Sequence, residues 1–309
     1  MSPDAHLFFR DKQLAVFGAG YVGGELIRQA LALGLKATAL TRNPARAVEL
    51  SAWGAETIVA DLATDRWHGQ IAGGADFVLD CVGAGGGGVD GYRRTYVAGL
   101  RSIFAWAGAA PVGTFVYTSS TSVYPQSGGM KVTEDAPTLG VRDTAQVLVE
   151  AEDVIRALGG GVCRSWFILR LAGIYGPGRH QLLDQLRAGA TELPGSGDRH
   201  LNLIHRDDIC AAIWAAFAAP AAIGHLVFNV ADDGAATRAA LADWLAARLG
   251  RPPPHFTGEP STGGRHVTPD RIVVNERLKA TLGWRPNFPT FREGFRDPKT
   301  YGADEISIL

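Results

Sequence analysis

Short apolar runs alternate with amphipathic segments through the first two-thirds of this chain. The expected strands cover residues 14–18, 37–41, 57–60, 77–81, 114–118, 167–171 and 226–230. Apolar positions recur at helical spacing in other segments, and the expected helices cover residues 22–33, 43–53, 92–107, 144–158, 207–218, 238–249 and 275–282. Alternation of this kind predicts an α/β fold, a doubly wound parallel sheet of the Rossmann type.

Turn-forming residues mark several ends of these elements. Gly34 is expected to end the first helix, Asn43-Pro44 to open the second, and the run Gly159-Gly160-Gly161 to close the fifth. The run Gly85-Gly86-Gly87-Gly88 follows the fourth strand, where loops form ligand crevices. It is expected to be a flexible loop, and both a mobile cover and a plain linker fit it.

Turns and prolines become denser in residues 174–199 and 237–309. These segments predict a smaller lobe built over the carboxyl edge of the sheet. We therefore expect a Rossmann domain formed by residues 1–173 and 200–232. A small C-terminal substrate-binding lobe is expected from residues 174–199 and 233–309.

The composition excludes several classes of function but does not identify a particular one. The 309 residues carry a formal net charge of −1, so no basic excess favours nucleic acid. Three scattered cysteines, Cys81, Cys163 and Cys210, are typical of free thiols in a reducing compartment and give no metal-ligand spacing. The start lacks signal-peptide features, and the apolar stretch 209–217 is too short to span a bilayer. We expect a cytoplasmic protein that binds a small molecule and neither nucleic acid nor a membrane.

The most informative motif is Gly18-Ala19-Gly20-Tyr21-Val22-Gly23, which lies between an expected strand and an expected helix. In this setting Gly18 allows a tight turn, Gly20 lets the backbone approach a pyrophosphate, and Gly23 lets helix and strand pack closely. The helix that follows directs its positive end at the phosphates. Tyr21 and Val22, within the motif, are included among the expected cofactor contacts. The segment therefore predicts a dinucleotide site.

Further motifs follow in an order that resembles a known family, the extended short-chain dehydrogenase/reductases of the NAD-dependent epimerase/dehydratase type. The motifs are the glycine fingerprint, Thr118-Ser119-Ser120-Thr121-Ser122-Val123-Tyr124, Arg170-Leu171-Ala172-Gly173-Ile174-Tyr175-Gly176-Pro177-Gly178-Arg179, Asn202-Leu203-Ile204-His205-Arg206-Asp207-Asp208 and Leu282-Gly283-Trp284-Arg285-Pro286. The resemblance covers nearly the whole chain. The segments Ser119–Tyr124 and Arg170–His180 are similar to those of an atypical bacterial branch of the family. The resemblance implies homodimerisation through helices 92–107 and 144–158.

The second strand ends without the acidic residue that accepts hydrogen bonds from the ribose of NAD. Arg42 stands there instead, with Arg46 one helical turn further on, and a guanidinium suits a 2′-phosphate. The interpretation is that NADP(H) is preferred and NAD(H) possible; solvated residues at a helix start are the alternative. The expected cofactor contacts beyond the fingerprint are Arg42, Asp61, Leu62, Val82, Gly83 and Ser119, and Asp61 fits a turn cap equally well.

The resemblance implies catalysis by a Tyr-x-x-x-Lys pair on one helix together with a serine. Ser120 matches the serine position, but no tyrosine of this chain has a lysine four residues later. Arg142 and Gln146 stand where the pair is expected, and neither replaces it chemically. Tyr124 is a second candidate catalytic residue or a packing residue, and Arg142 a candidate holder of an anionic substrate.

Three explanations stay open: another acid such as Tyr124, Asp143 or water, a different proton route, or NADP(H) binding without turnover. The first two describe an oxidoreductase or epimerase acting on a small polar carbonyl or hydroxyl compound. The third describes a sensor or interaction protein. Leu171 and Gly173 replace residues that the resemblance associates with nucleotide-sugar binding. An anion pocket formed by Arg179, His180, Arg199, His200 and His205 is a further expectation.

Overall fold

The computed structural model describes residues 7–71, 74–109, 112–138, 143–259 and 269–301. Its central sheet has seven strands, β1 (Gln13–Phe17), β2 (Lys36–Thr41), β3 (Glu56–Val59), β4 (Ala75–Asp80), β5 (Val112–Ser120), β7 (Cys163–Leu171) and β12 (His225–Val230). Their order is β12-β7-β5-β4-β1-β2-β3. Neighbours from β5 to β3 pair in parallel. The order reverses between β1 and β4, where a doubly wound sheet opens a crevice.

Helices connect and flank these strands. Their bounds are α1 (Tyr21–Ala32), α2 (Pro44–Ala52), α3 (Gly88–Tyr92), α4 (Gly99–Ala109), α5 (Asp143–Val162), α6 (Gln181–Arg187), α7 (Arg206–Phe217), α8 (Arg238–Arg248), α9 (Glu276–Leu282), α10 (Phe291–Gly294) and α11 (Pro298–Tyr301), with one turn of π-helix at Arg93–Ala98. Short 3-10 turns cover His68–Gln70, Thr121–Val123 and Ala221–Ile223. The seven expected strands and seven expected helices are all present, so the predicted Rossmann-type α/β fold is confirmed.

Local signals explain most helix ends, and the end of α5 is an exception. Asn43 caps α2 by accepting the backbone N–H groups of Ala45 and Arg46. Gly34, at φ +79°, takes the left-handed conformation just after α1. The expectation that Gly159-Gly160-Gly161 closes the fifth helix is wrong, because α5 continues to Val162. Gly159 is buried against the Trp166 ring, and this packing outweighs the low helix propensity of glycine.

The chain forms two compact units. The first comprises Met1–Val123, Thr138–Arg170 and Ala212–Phe228, and the second comprises Tyr124–Pro137, Leu171–Ala211 and Asn229–Leu309. The first unit is built on the sheet, and its core centres on large side chains such as Phe17, Trp67, Trp106, Phe115 and Tyr117.

The second unit has its own core, formed by Tyr175, Leu183, Leu186, Leu241, Leu245, Phe291, Phe295 and Tyr301. Its strands make two-stranded ribbons, namely β6 (Met130–Val132) with β15 (Arg271–Val273), β8 (Gly173–Tyr175) with β11 (Leu203–His205), β9 (Glu192–Leu193) with β14 (His255–Phe256), and β10 (His200–Leu201) with β13 (Ala236–Thr237). Residues 124–137 and 200–211, expected in the Rossmann domain, fall in this unit, where β6 pairs with β15 and β11 pairs with β8. Across the described ranges, every helix is too short or too polar to cross a membrane.

Candidate functional site

A cleft of about 480 Å³ opens at the carboxyl ends of β1 to β4 in the first unit. It lies at the reversal of strand order, where doubly wound sheets bind their ligands. The residues that line it are Gly18, Ala19, Gly20, Leu40, Thr41, Arg42, Asn43, Arg46, Asp61, Leu62, Ala63, Cys81, Val82, Gly83, Arg94 and Thr95. The cleft therefore brings together Gly18, Gly20, Arg42, Asp61, Leu62, Val82 and Gly83 from the expected cofactor contacts.

The glycine fingerprint lines this cleft through Gly18, Ala19 and Gly20, and a Cβ would clash at two of its glycines, Gly18 and Gly23. Gly18 has φ +95°, and a Cβ there would lie 2.5 Å from the backbone nitrogen of Val82. Gly20, the N-cap of α1, has open space around it and offers no side-chain cap to the first turn. A Cβ at Gly23 would lie 2.7 Å from Sγ of Cys81. This turn suits a pyrophosphate, which takes its hydrogen bonds from backbone N–H groups at a helix start.

The remaining fingerprint residues lie around the turn. Gly23 and Val22 are buried, and neither of them nor Tyr21 lines the cleft. Cys81 donates its thiol to the carbonyl of Gly18 at 2.9 Å and so ties β4 to the turn. The sequence alone identifies Cys81 only as a free thiol, since its place beneath the glycines depends on the pairing of β1 with β4.

Two arginines follow β2, and they differ in how far they are committed to protein partners. Arg46 donates to the carbonyl of Ala19 at 2.9 Å, pairs with Glu49 at 2.5 Å and covers the ring of Trp53. Arg42 is exposed and makes no hydrogen bond or ion pair with any residue that the structure describes. Its guanidinium is therefore the one that is available to an anionic group in the cleft.

Asp61 follows β3 and is held by two partners. Its Oδ2 accepts from Nη2 of Arg94 at 2.6 Å, and its Oδ1 accepts from the backbone of Ala63 at 3.0 Å. Partial burial works to raise the pKa of Asp61, but the bonds from Arg94 and Ala63 and the charge of Arg42 outweigh it and lower the pKa. Asp61 thus acts as a turn cap, and its contact with an adenine edge stays a prediction.

A buried polar group lies at the end of β4, next in sequence to Cys81 and Val82 of the cleft. Asp80 is fully buried, and its Oδ1 accepts from the backbone of Val82 at 3.3 Å. Its Oδ2 and the hydroxyl of Tyr117 have no hydrogen-bond partner within the described ranges. Desolvation by burial raises the pKa of Asp80 to about 7.

Ser119 is held in the interior of the first unit. It is 5% exposed and donates to Oε1 of Glu152 at 2.8 Å. Arg170 binds both oxygens of that carboxylate, at 2.9 and 2.7 Å. Burial works to raise the pKa of Glu152, but the bond and charge of Arg170 outweigh it and lower the pKa. Glu152 and Arg170 thus hold Ser119, which is not among the residues that line the cleft, and its contact with a cofactor stays a prediction.

The three candidate catalytic residues have different surroundings. Ser120, the last residue of β5, is half-buried, and its Oγ accepts from the backbone of Ser122 at 3.1 Å. Tyr124 is 1% exposed in the second unit and donates to Oδ1 of Asn229 at 2.7 Å. That geometry favours the packing role of Tyr124. Arg142 lies outside the described residues, and Gln146 lies half-buried on α5.

The histidines expected near an anion pocket have separate partners in the second unit. His205 is buried, accepts from the backbone of Asp207 at 3.2 Å and shares a hydrogen bond with Thr300. His180 pairs with Asp184, and His200 with Asp270. Across the described residues, no group of three histidine, cysteine or acidic side chains has the arrangement of a metal site.

The comparisons with known proteins agree with this geometry. The model of the NAD dependent epimerase/dehydratase family matches residues 15–231. The chain belongs to this family. The match covers every strand of the central sheet except the first two residues of β1. Membership makes it a relative of enzymes that depend on a nicotinamide cofactor.

Individual relatives extend the likeness. Protein YeeZ of Escherichia coli strain K12 is 32% identical over 194 residues, which cover 63% of this chain and 65% of YeeZ. A 3-diazoavenalumate denitrifying reductase of Streptomyces is 29% identical over 214 residues, 64% of each chain. The match therefore spans somewhat less than two thirds of the length of these curated relatives. The solved structure of MoeE5 in complex with UDP-glucuronic acid and NAD superposes with a TM-score of 0.79 at 22% identity, over 95% of this chain and 100% of MoeE5.

Proposed function

We propose that this member of the epimerase/dehydratase family is an NADP(H)-dependent oxidoreductase or epimerase. The observation that carries the cofactor preference is Arg42, which lies exposed in the cleft where an NAD site carries an acidic residue. A 2′-phosphate accepts paired hydrogen bonds from a guanidinium. NAD(H) remains a weaker second ligand in this proposal, because the glycine turn is common to both cofactors.

In the proposed complex, the backbone of Gly18 and Gly20 and the start of α1 hold the pyrophosphate, and Val82 and Gly83 lie beside it. A nicotinamide, when bound, would supply or accept a hydride. Ser120 holds the reacting oxygen of a small polar carbonyl or hydroxyl compound, since the backbone of Ser122 occupies a lone pair of Oγ and leaves its hydrogen to donate. The proton would come from water or from Asp143, because the hydroxyl of Tyr124 is buried and committed to Asn229.

Turnover is tested by following NADPH absorbance with a panel of aldehydes, ketones and their alcohols. An oxidoreductase would oxidise NADPH with at least one carbonyl compound, whereas an epimerase would return its hydride and is detected by chromatography of the product; in either case Ser120→Ala is expected to lose about tenfold or more in kcat. The matched control is Ser122→Ala, which keeps the backbone N–H that Ser120 accepts. Equal turnover in wild type and Ser120→Ala would remove the role of Ser120. Saturable NADPH binding without any turnover would favour the sensor interpretation.

A further inference from the structure

The cleft of the first unit is lined by three arginines and one carboxylate. The arginines are Arg42, Arg46 and Arg94, and of the described residues that line the cleft only Asp61 is acidic. Arg42 follows β2, Asp61 follows β3, and Arg94 lies in the π-helical turn Arg93–Ala98. Arg46 is committed to a backbone carbonyl and a glutamate. The arginine that neutralises Asp61 therefore decides which guanidinium stays available to a ligand.

Arg94 is the residue that neutralises Asp61. Its Nη2 and Nε both donate to Oδ2 of Asp61, at 2.6 and 3.1 Å. Partial burial works to raise the pKa of Asp61, but the hydrogen bonds from Arg94 and Ala63 and the charges of Arg94 and Arg42 lower it. Arg42 is thus near enough to act on the same carboxylate, yet within the described ranges it donates no hydrogen bond to it.

The π-helical turn holds Arg94 at the cleft. Arg93 pairs with Glu150 of α5 at 3.1 Å, whereas Arg94, the next residue, reaches the cleft. A Cβ at Gly99, the first residue of α4, would lie 3.2 Å from the side chain of Leu62, so the helix lies close against the segment that follows β3. Single turns of π-helix within α-helices are frequent at functional sites. The two consecutive arginines are therefore anchored on different elements.

Without Arg94, the carboxylate of Asp61 would compete for Arg42. A carboxylate and a phosphate both accept paired hydrogen bonds from a guanidinium, so Asp61 and a 2′-phosphate are alternative partners of Arg42. An unpaired carboxylate in the cleft would also repel the phosphate as a like charge. The pair between Asp61 and Arg94 removes both effects.

We propose that Arg94 is a positioning residue that sets the cofactor specificity, because by pairing with Asp61 it leaves Arg42 available to the 2′-phosphate of NADP(H). The inference rests on the proposed function, in which Arg42 selects NADP(H). It adds that this selection depends on three residues from three elements. Arg94 acts through Asp61 and needs no contact with the phosphate.

The preference is measured on the full chain by calorimetry, as the ratio of the dissociation constants of NAD(H) and NADP(H). Arg94→Ala is expected to lower this ratio about threefold or more, because an exposed ion pair is lost and Asp61 takes up Arg42. Arg94→Lys keeps the charge and retains most of the preference. In the double variant Arg94→Ala/Asp61→Asn the competing charge is gone, and the wild-type ratio returns. A merely structural role would weaken both cofactors alike and would not be rescued by Asp61→Asn.

The matched control is Arg93→Ala, which removes the neighbouring arginine of the same turn, whose partner Glu150 does not line the cleft. It is expected to leave the ratio unchanged, and thermal unfolding shows that each variant is folded. A wild type without preference for NADP(H) would refute the proposed function, and this inference with it. A wild-type preference that Arg94→Ala leaves unchanged, or a loss that Asp61→Asn does not rescue, would overturn the role of Arg94 alone.

Discussion

The carboxylate of Glu152 is fully buried in the first unit and balances the guanidinium of Arg170. Removing one partner of a buried ion pair costs about 3–5 kcal/mol, because the other charge stays in a medium of low polarity. We expect Glu152→Gln to lower the free energy of unfolding in urea by that amount. Asp153→Asn is the control, since Asp153 is exposed and pairs with the same Arg156 that contacts Glu152. Its loss is about 1 kcal/mol or less, and equal losses would contradict the account.

Asp80 makes stability depend on pH in a defined direction. Its folded-state pKa of about 7 lies above its ordinary value of 3.8, so the folded state binds the proton more tightly. The contribution of Asp80 to the free energy of unfolding is fully present below about pH 4. It decreases as the pH rises to about 7, and it stays lost above that pH. The Asp80→Asn variant lacks this fall, and its stability relative to wild type rises by a few kcal/mol over the interval. Denaturant unfolding at a series of pH values measures this difference, and Asp90→Asn, at an exposed position, is the control. If the free energies of unfolding of wild type and Asp80→Asn changed in parallel with pH, the raised pKa of Asp80 would be refuted.

At the scale of single residues, the sequence identifies those whose role depends only on their neighbours along the chain. The glycine turn and Arg42 could be predicted as cofactor contacts because each lies beside the end of a strand. Both line the cleft. Arg94 could not be assigned, because its partner Asp61 lies 33 residues away on another element. The same holds for Ser119, whose partner Glu152 reaches it only through the packing of α5 against β5.

Among the elements, α5 shows that a run of glycines does not always mark the end of a helix. A Cβ at Gly159 would lie 2.7 Å from the Trp166 ring, whereas a Cβ at Gly161 meets open space. Gly159→Ala is therefore expected to lower the free energy of unfolding by about 1–3 kcal/mol through overpacking. Gly161→Ala, in the same helix, is expected to raise it by about 0.5–1 kcal/mol through helix propensity. Chemical unfolding of both variants checks the pair, and stabilisation by both would show that Gly159 is not packed as described.

The strands were easier to predict than this helix end. Each of the apolar runs forms a strand of the central sheet. They could be recognised because a strand that is buried on both faces has a continuous run of apolar residues. The ribbons of the second unit were not predictable in the same way. They have only two or three residues per strand and pair segments distant in sequence, as β6 and β15 do.

For the whole molecule, the family resemblance implies a homodimer through helices expected at 92–107 and 144–158. In the structure, these segments are joined by an ion pair between Arg93 and Glu150 at 3.1 Å. We expect light scattering to give twice the chain mass, and charge reversal at an exposed position of α5, such as Asp153→Lys, to weaken the dimer. A monomer at all accessible concentrations would exclude this arrangement.

We propose above that the cleft selects NADP(H) through Arg42. The direct measurement is calorimetric binding of NADP(H) and NAD(H) to wild type, Arg42→Ala and, as control, Arg66→Ala, which lies outside the cleft. Wild type is expected to favour NADP(H), and Arg42→Ala to lose about tenfold or more of that preference while keeping its NAD(H) affinity. Unchanged discrimination in Arg42→Ala, or a wild-type preference for NAD(H), would contradict the account.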